Sequence, residues 1–127
     1  MGFDCRFDKT EIINKLGELR ENIEQKLLAS LFNTSVTANT DILTTDLAPS
    51  KSPVLFRVYA TFNASGVLSV VRKRGTTSVV EQLNSGNPLS ANCAFMFDII
   101  VEQGETINLR YSVNATCLVL KVVETRW

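Results

Sequence analysis

The sequence predicts a mainly β fold, an antiparallel β-sandwich preceded by one long N-terminal amphipathic α-helix. Three observations lead to this prediction. Apolar residues recur every three or four positions between residues 7 and 33, as they do along one face of a helix. Residues 34–52 are rich in Thr, Ser, Asn and Asp, a composition typical of connectors. From residue 53 onward, short runs of alternating apolar and polar side chains are separated by turn residues, which is the pattern of half-buried antiparallel strands.

The N-terminal segment, residues 1–33, carries the predicted helix and is interpreted as an assembly or anchor element. The helix is expected to begin at Lys9, because Asp8 can cap it and Glu11 can complete a capping box, and to end at Asn33. One stripe along this helix is the predicted oligomer interface: Ile12, Leu16, Leu19, Ile23, Leu27 and Leu31. The stripe can pack either across the protein's own sheet or against the same stripe of other copies.

Residues 34–52 are predicted to be an arm or linker. Ser and Thr are abundant in this segment and it ends near Pro49 and Pro53, so a helix is unfavourable there. A short strand at residues 41–45 is compatible with the pattern. An extended arm that packs on a neighbouring molecule is equally compatible with it.

Residues 53–127 form the predicted sandwich domain, with six or seven strands. Turn signals recur every 8 to 12 residues or so, which is typical of antiparallel sandwiches and barrels. No strand run alternates with a helical run, and this excludes parallel nucleotide-binding folds. The strand runs are PVLFRVYATF, VLSVVRKR, SVVEQL, CAFMFDIIVE, TINLRYSV and CLVLKVVE.

The charge balance argues against a nucleic acid partner. The 127 residues contain 13 Lys plus Arg and 13 Asp plus Glu, so no net positive field gathers phosphate groups. No apolar run approaches the length of about 20 residues that crosses a bilayer, and the N-terminus lacks the basic and apolar regions of a secretory leader. We therefore expect no membrane span and a protein made in the cytoplasm.

Catalytic and metal chemistry lack their usual residues. The chain has no histidine, which is the commonest general base and the commonest metal ligand. Cys5, Cys93 and Cys117 lie far apart, without the close spacing of a thiolate metal site, and are interpreted as unpaired residues in a reducing compartment. We predict that the protein is not an enzyme and has no cofactor and no metal site.

The last strands provide a second set of candidate contact residues. One register of TINLRYSVNATCLVLKVVE is apolar and is predicted to face the core, while the other register is predicted to face another subunit. The predicted sheet interface consists of Asn108, Arg110, Ser112, Val119, Val123 and Trp127. Separately, Tyr59 and Tyr111 are candidate ligand-facing residues, together with the loop at 84–92, because an aromatic side chain can bind a sugar ring.

The stretch FMFDIIVEQGETINLRYS, with Gly104 and Glu105 at its turn, resembles the end of small jelly-roll domains of the tumour-necrosis-factor and complement-globular-head type. The likeness covers residues 83–124. In virus and phage particles, similar domains are receptor-binding heads, decoration proteins and fibre tips, and they are often trimeric. The resemblance therefore implies a jelly-roll-like homo-oligomer, with a trimer favoured, that contacts other particle proteins in the virion.

Two classes of function are compatible with these patterns. The first is a non-enzymatic structural protein of a viral or phage-like particle, such as a capsid, decoration, spike or tail component, acting through self-assembly and protein contacts. The second is a carbohydrate- or receptor-binding β-sandwich module that uses Tyr59 or Tyr111.

Overall fold

The computed structural model describes residues 25–50 and 53–125, which fold into seven strands in two antiparallel sheets. A single 3-10 turn lies at Asn84–Gly86. The predicted mainly β architecture is confirmed, and of the six or seven strands predicted after residue 53 the structure has six. The strands are β1 (Gln25–Val36), β2 (Val54–Phe62), β3 (Leu68–Arg74), β4 (Thr77–Gln82), β5 (Phe95–Val101), β6 (Glu105–Tyr111) and β7 (Ala115–Thr125).

The two sheets enclose one apolar core. The larger sheet has the strand order β1-β7-β2-β5, and the smaller sheet has the order β4-β3-β6. Strand β2 shows why these segments are strands, because its burial alternates strictly from Val54 to Phe62, as a pleated strand with one face on a core requires. Among the strands of residues 25–50 and 53–125, β3 and β4 are the only consecutive ones that pair with each other, and they form a hairpin.

The prediction of a long N-terminal helix is wrong for residues 25–33, which belong to strand β1. Residues 25–50 and 53–125 contain no α-helix. Leu27 and Leu31 share a helical face, but a bulge between Leu27 and Ala29 places them on opposite sides of the strand, paired with Val123 and Leu120. Pairing of β1 with β7 determines the outcome, because an unpaired β7 would leave a row of backbone N–H and C=O groups open. Residues 9–24, with Ile12, Leu16, Leu19 and Ile23, lie outside the described residues.

A stacked aromatic pair anchors the core where the two sheets meet. The rings of Phe62 on β2 and Tyr111 on β6 have centroids 3.7 Å apart and planes 9° from parallel. The Tyr111 hydroxyl donates a hydrogen bond of 2.7 Å to the Ala64 carbonyl, so its polar tip is satisfied although the residue is fully buried. A Cβ at Gly66 would lie 2.9 Å from the Tyr111 ring, which explains the glycine there. The prediction that Tyr111 faces a ligand is therefore wrong.

Residues 37–50, called the arm from here on, run along the edge of β6 in the same chain. The Asn39 and Ile42 N–H groups donate to the carbonyls of Tyr111 and Leu109 at 2.7 and 2.8 Å. Leu47 and Ile107 exchange two backbone hydrogen bonds of 2.9 and 2.8 Å. The arm thereby covers the edge of the smaller sheet.

Asn108 on β6 holds the part of the arm that leaves the β6 backbone. Its side-chain Nδ2 donates to the Leu43 carbonyl at 2.9 Å and to Asp46 Oδ1 at 2.8 Å, and its Oδ1 accepts from the Leu43 N–H at 3.0 Å. The amide thus replaces a strand partner for Leu43, whose side chain joins the core. Asn108 was predicted to face another subunit; instead it is buried inside its own chain.

The far end of the arm is bound to the other sheet. Glu124 on β7 is fully buried, and its carboxylate accepts a hydrogen bond of 2.9 Å from the Ser50 N–H and another from the Ser50 hydroxyl. A buried carboxylate needs such donors, since an unpaired one is costly to desolvate. The arm therefore crosses from the smaller sheet to the larger one and closes that side of the sandwich.

We predict that Asn108→Ala destabilises the protein by about 1–3 kcal/mol, the cost of leaving buried backbone groups without partners. The Leu43 N–H and C=O would both lose their hydrogen bonds. Urea unfolding followed by circular dichroism measures the change in the free energy of unfolding. The exposed Asn87→Ala is the matched control and should change it little. Equal stability of Asn108→Ala and wild type would contradict the role given to this amide.

Candidate interaction surface

The most distinctive surface is the side of the larger sheet that faces away from the core, called the outer face from here on. Register places side chains of all four strands next to one another on it, from β1 across β7 and β2 to β5. Its apolar members are Leu27 and Phe32 on β1, Val119 and Val123 on β7, Leu55 and Tyr59 on β2, and Met96 and Ile100 on β5.

The two edge strands of this sheet carry its most exposed apolar side chains. Phe32 is 80% exposed, Ile100 59%, Leu27 56% and Met96 52%. Single exposed apolar residues are ordinary on protein surfaces, whereas contiguous ones mark interaction sites.

Leu55, Tyr59 and Val119 are half-buried and Val123 is buried, and they lie between the exposed apolar residues of the two edge strands. Two exposed polar side chains stand among them, because Lys121 is paired with both Ser30 and Tyr59. Within the described residues, no element covers the outer face.

An ion pair between β2 and the edge strand β5 lies within the outer face. Arg57 on β2 stands directly opposite Asp98 on β5, and Nε–Oδ1 and Nη2–Oδ2 distances of 2.8 and 3.2 Å make the pair bidentate. The hydrogen bond to Asp98 raises the pKa of Arg57. An apolar area with a few oriented polar groups is the usual composition of a protein interface.

The predicted sheet interface is divided between two different surfaces. Val119 and Val123 lie on the outer face, opposite Phe32 and Leu27 of β1. Asn108 and Arg110 on β6, with Ser112 just beyond its end, belong to the other sheet, because β6 and β7 do not pair. Asn108 is bound by the arm, Arg110 Nε donates to Asp41 Oδ1 of the arm at 2.8 Å, and the Ser112 hydroxyl accepts from the Val67 N–H at 2.8 Å. Trp127 lies outside the described residues.

Sequence reasoning missed four members of the outer face, namely Phe32, Leu55, Met96 and Ile100. A signal for two of them was present. Met96 and Ile100 stand in the register of β5 that alternates with the core-facing Phe95, Phe97 and Ile99, and that register should be polar on a solvated face. Phe32 had no such signal, because its segment was interpreted as a helix.

The smaller sheet presents a polar surface that is tied to the arm. Lys73 Nζ on β3 lies 3.2 Å from Asp41 Oδ2 and 3.1 Å from Asp46 Oδ2. The hydrogen bond from Arg110 holds the pKa of the Asp41 carboxyl below its usual value, against the opposing effect of burial. Hydrogen bonds from Asn108 and then Lys73 lower the pKa of Asp46. The two acids and the two bases thus hold the arm by charge as well as by backbone pairing.

A groove of about 300 Å³ lies between β1 and the arm. Its lining is mainly apolar and includes Ser and Thr residues. Strand β1 therefore has accessible apolar side chains on both of its faces, Leu27 and Phe32 on the outer face and Leu28 and Leu31 toward the groove. The groove is lined by Leu28, Ala29, Ser30, Leu31, Thr34, Ile42, Leu43, Thr44, Thr45 and Leu47.

The remaining reactive groups are dispersed. Cys93 is exposed and Cys117 is buried, both are free thiols, and burial raises the pKa of Cys117 to about 11. Over residues 25–50 and 53–125, no three Cys, Asp or Glu side chains are grouped so that they could hold a metal ion. Over the same residues, no helix has the length and apolarity needed to span a membrane.

Comparison with known proteins identifies no relative: the chain matches no protein-family model, and no curated protein matches its sequence. The outer face and its geometry are therefore the basis for a functional interpretation.

We predict that the ion pairs of the arm make stability depend on acidity. The folded-state pKa values of Asp41 and Asp46 are depressed. Their stabilisation is therefore complete above the unfolded-state value of about 4, and it is lost as the pH falls through the folded-state values. Asp46→Asn should be less stable than wild type at neutral pH, and the difference should vanish at low pH.

Urea unfolding of wild type and Asp46→Asn over a series of pH values measures this difference. The exposed Glu102→Gln is the control, and its stability should follow that of wild type at each pH. A gap between wild type and Asp46→Asn that stayed constant down to low pH would contradict the assignment.

Proposed function

We propose that this protein is a non-enzymatic structural protein of a viral or phage-like particle, and that it assembles with copies of itself and with other particle proteins through the outer face. The observation that carries the proposal is the set of exposed apolar side chains on both edge strands of the outer face, Phe32 and Leu27 on β1 and Met96 and Ile100 on β5. Side chains of this size gain free energy when a partner removes them from water, at about 25 cal/mol for each Å² of apolar surface buried.

The composition of the outer face fits an interface between proteins better than a small-molecule site. It is broad and built on a rigid sheet, and it holds one bidentate ion pair, Arg57 with Asp98, among apolar neighbours. Ligand pockets are concave and enclose most of the ligand, whereas a sheet face offers a surface of the kind another chain can cover. Tyr59 lies within this face, half-buried, and contributes to its apolar area.

The strand order supports the jelly-roll interpretation and thereby the particle setting. When the arm is counted as a strand between β1 and β2, the sheets have the orders β1-β7-β2-β5 and arm-β6-β3-β4. Each sheet then alternates strands from the two halves of the chain, as in a jelly roll made of two Greek keys. Jelly rolls build viral capsid and lectin domains. Because a fold alone does not decide function, the outer face remains the main support.

The resemblance of residues 83–124 to trimeric jelly-roll proteins leads us to favour a trimer and to place the protein in the virion. Most soluble oligomers of a single chain have closed symmetry, and a trimer is one of these closed forms. In such a trimer the outer face of one subunit would lie against a neighbour.

We predict that the double variant Phe32→Ser, Met96→Ser loses the contacts made through the outer face, so that its assembly has a lower mass than that of wild type. Both side chains are more than half exposed, so the fold should tolerate the changes while the outer face loses apolar area. Light scattering coupled to size-exclusion chromatography, over a series of protein concentrations, measures the mass.

The control is Pro88→Ser, which changes an exposed residue in the loop before β5, outside the outer face. Its mass should equal that of wild type. A wild-type chain that stays a single 14.1 kDa species at high concentration, or a double variant that assembles as wild type does, would overturn the proposal.

A further inference from the structure

Strand β4 is an edge strand with an unusual degree of exposure. It pairs only with β3, and all six of its residues are exposed. Val79 and Val80 point to opposite sides of the sheet and are 53% and 51% exposed. Neither side of β4 is therefore covered within the described residues, although its composition favours strand formation through Thr77, Val79 and Val80.

The backbone groups that point away from the sheet can be assigned. Leu83, just beyond β4, donates its N–H to the Leu68 carbonyl at 2.8 Å, in continuation of the β3–β4 register. The backbone N–H and C=O groups of successive residues point toward opposite edges of a strand. In β4 the groups of the odd-numbered residues therefore bond to β3, and those of the even-numbered residues point away from the sheet. Ser78, Val80 and Gln82 thus present their N–H and C=O groups at the free edge.

The other strand edges of the molecule carry obstacles to pairing. The arm occupies the edge of β6, and Arg72 Nη1 donates a hydrogen bond of 2.7 Å to the Ile100 carbonyl of β5. Strand β1 has a bulge between Leu27 and Ala29 and a residue with positive φ, Asn33. Bulges, covering segments and occupied edge groups are known means of preventing strand addition. Among the described residues, β4 has none of them.

We propose that β4 pairs with β4 of a second copy, antiparallel and across a two-fold axis at Val80, so that the two smaller sheets form one continuous sheet. In this register Val80 lies opposite Val80 of the other copy, and Ser78 lies opposite Gln82 in both directions. All three outward-pointing residues are then used. Each opposed pair of this type exchanges two hydrogen bonds.

Side-chain chemistry is compatible with the same register. The two Val80 side chains meet on one side of the sheet and cover each other, a favourable cross-strand pair of β-branched residues. Glu81 falls opposite Val79 of the other copy, so no like charges face each other directly. Each Glu81 already binds Arg72 of its own chain, with an Nη2–Oε1 distance of 3.2 Å, which neutralises its charge near the axis.

This pairing uses a surface distinct from the outer face and does not depend on the proposed function. An isologous contact at β4 joins two copies and then closes. A chain that also binds through its outer face would be linked to neighbours at two places, and paired subunits could then extend into a larger assembly.

Disulfide formation tests both the pairing and its register. Val80→Cys and Ser78→Cys are each made in a chain carrying Cys5→Ser and Cys93→Ser, which leaves only the buried Cys117. Directly opposed residues of this type have Cα atoms about 5.5 Å apart, within the range of about 4.4–6.8 Å that a disulfide spans. The two copies of Ser78 would be separated by about 14 Å, the length of four strand residues.

The expected result under mild oxidation is a covalent dimer, twice the 14.1 kDa chain mass, for Val80→Cys and its absence for Ser78→Cys. Equal crosslinking of both variants, or of neither, would overturn the pairing. The Val80→Cys crosslink should also persist when Phe32→Ser and Met96→Ser are added. Loss of the crosslink in the Phe32→Ser, Met96→Ser chain would show that the contact depends on the outer face and would overturn pairing at β4. A failure of β4 pairing alone leaves the proposed function unaffected.

Discussion

The attachment of the arm to β6 is the constraint on which the rest of the structure depends. Asn108 takes the place of a backbone partner for Leu43, and Glu124 binds Ser50 at the far end, so one segment is fastened to both sheets. Both polar side chains are buried and satisfied, an arrangement that is strong only while every partner is present. The arm in turn places Leu43 in the core and closes the edge of β6.

This closure makes the two outer surfaces of the sandwich chemically different. On the smaller sheet, Lys73 and Arg110 are paired with acids of the arm, so that surface is polar and already occupied by the chain itself. On the larger sheet, the exposed apolar side chains of Leu27, Phe32, Met96 and Ile100 remain without cover in the described part of the chain. A partner therefore gains most by binding the larger sheet, which is where Phe32 and Met96 lie.

Local patterns were sufficient for the strands after residue 53, because period-two alternation and turn residues such as Gly75 are encoded within a few positions of each other. They failed for β1, since the spacing of Leu27 and Leu31 fits a helix as well as a bulged strand, and pairing with β7 decides between them. The burial of Asn108 was not predictable either, because its partner Leu43 is 65 positions away in sequence. For the same reason, the interface predicted on β6 and β7 proved to be divided between two surfaces. Its members Val119 and Val123 lie on the outer face.

Hydroxyl-radical footprinting of the wild-type chain over a range of concentrations tests the central claim most directly, because it measures the solvent access of individual side chains. Contact through the outer face predicts that oxidation of Phe32 and Met96 slows as the protein assembles, while oxidation of Pro88, exposed in the loop before β5, stays constant. Unchanged oxidation of Phe32 and Met96 in an assembled sample would contradict the claim.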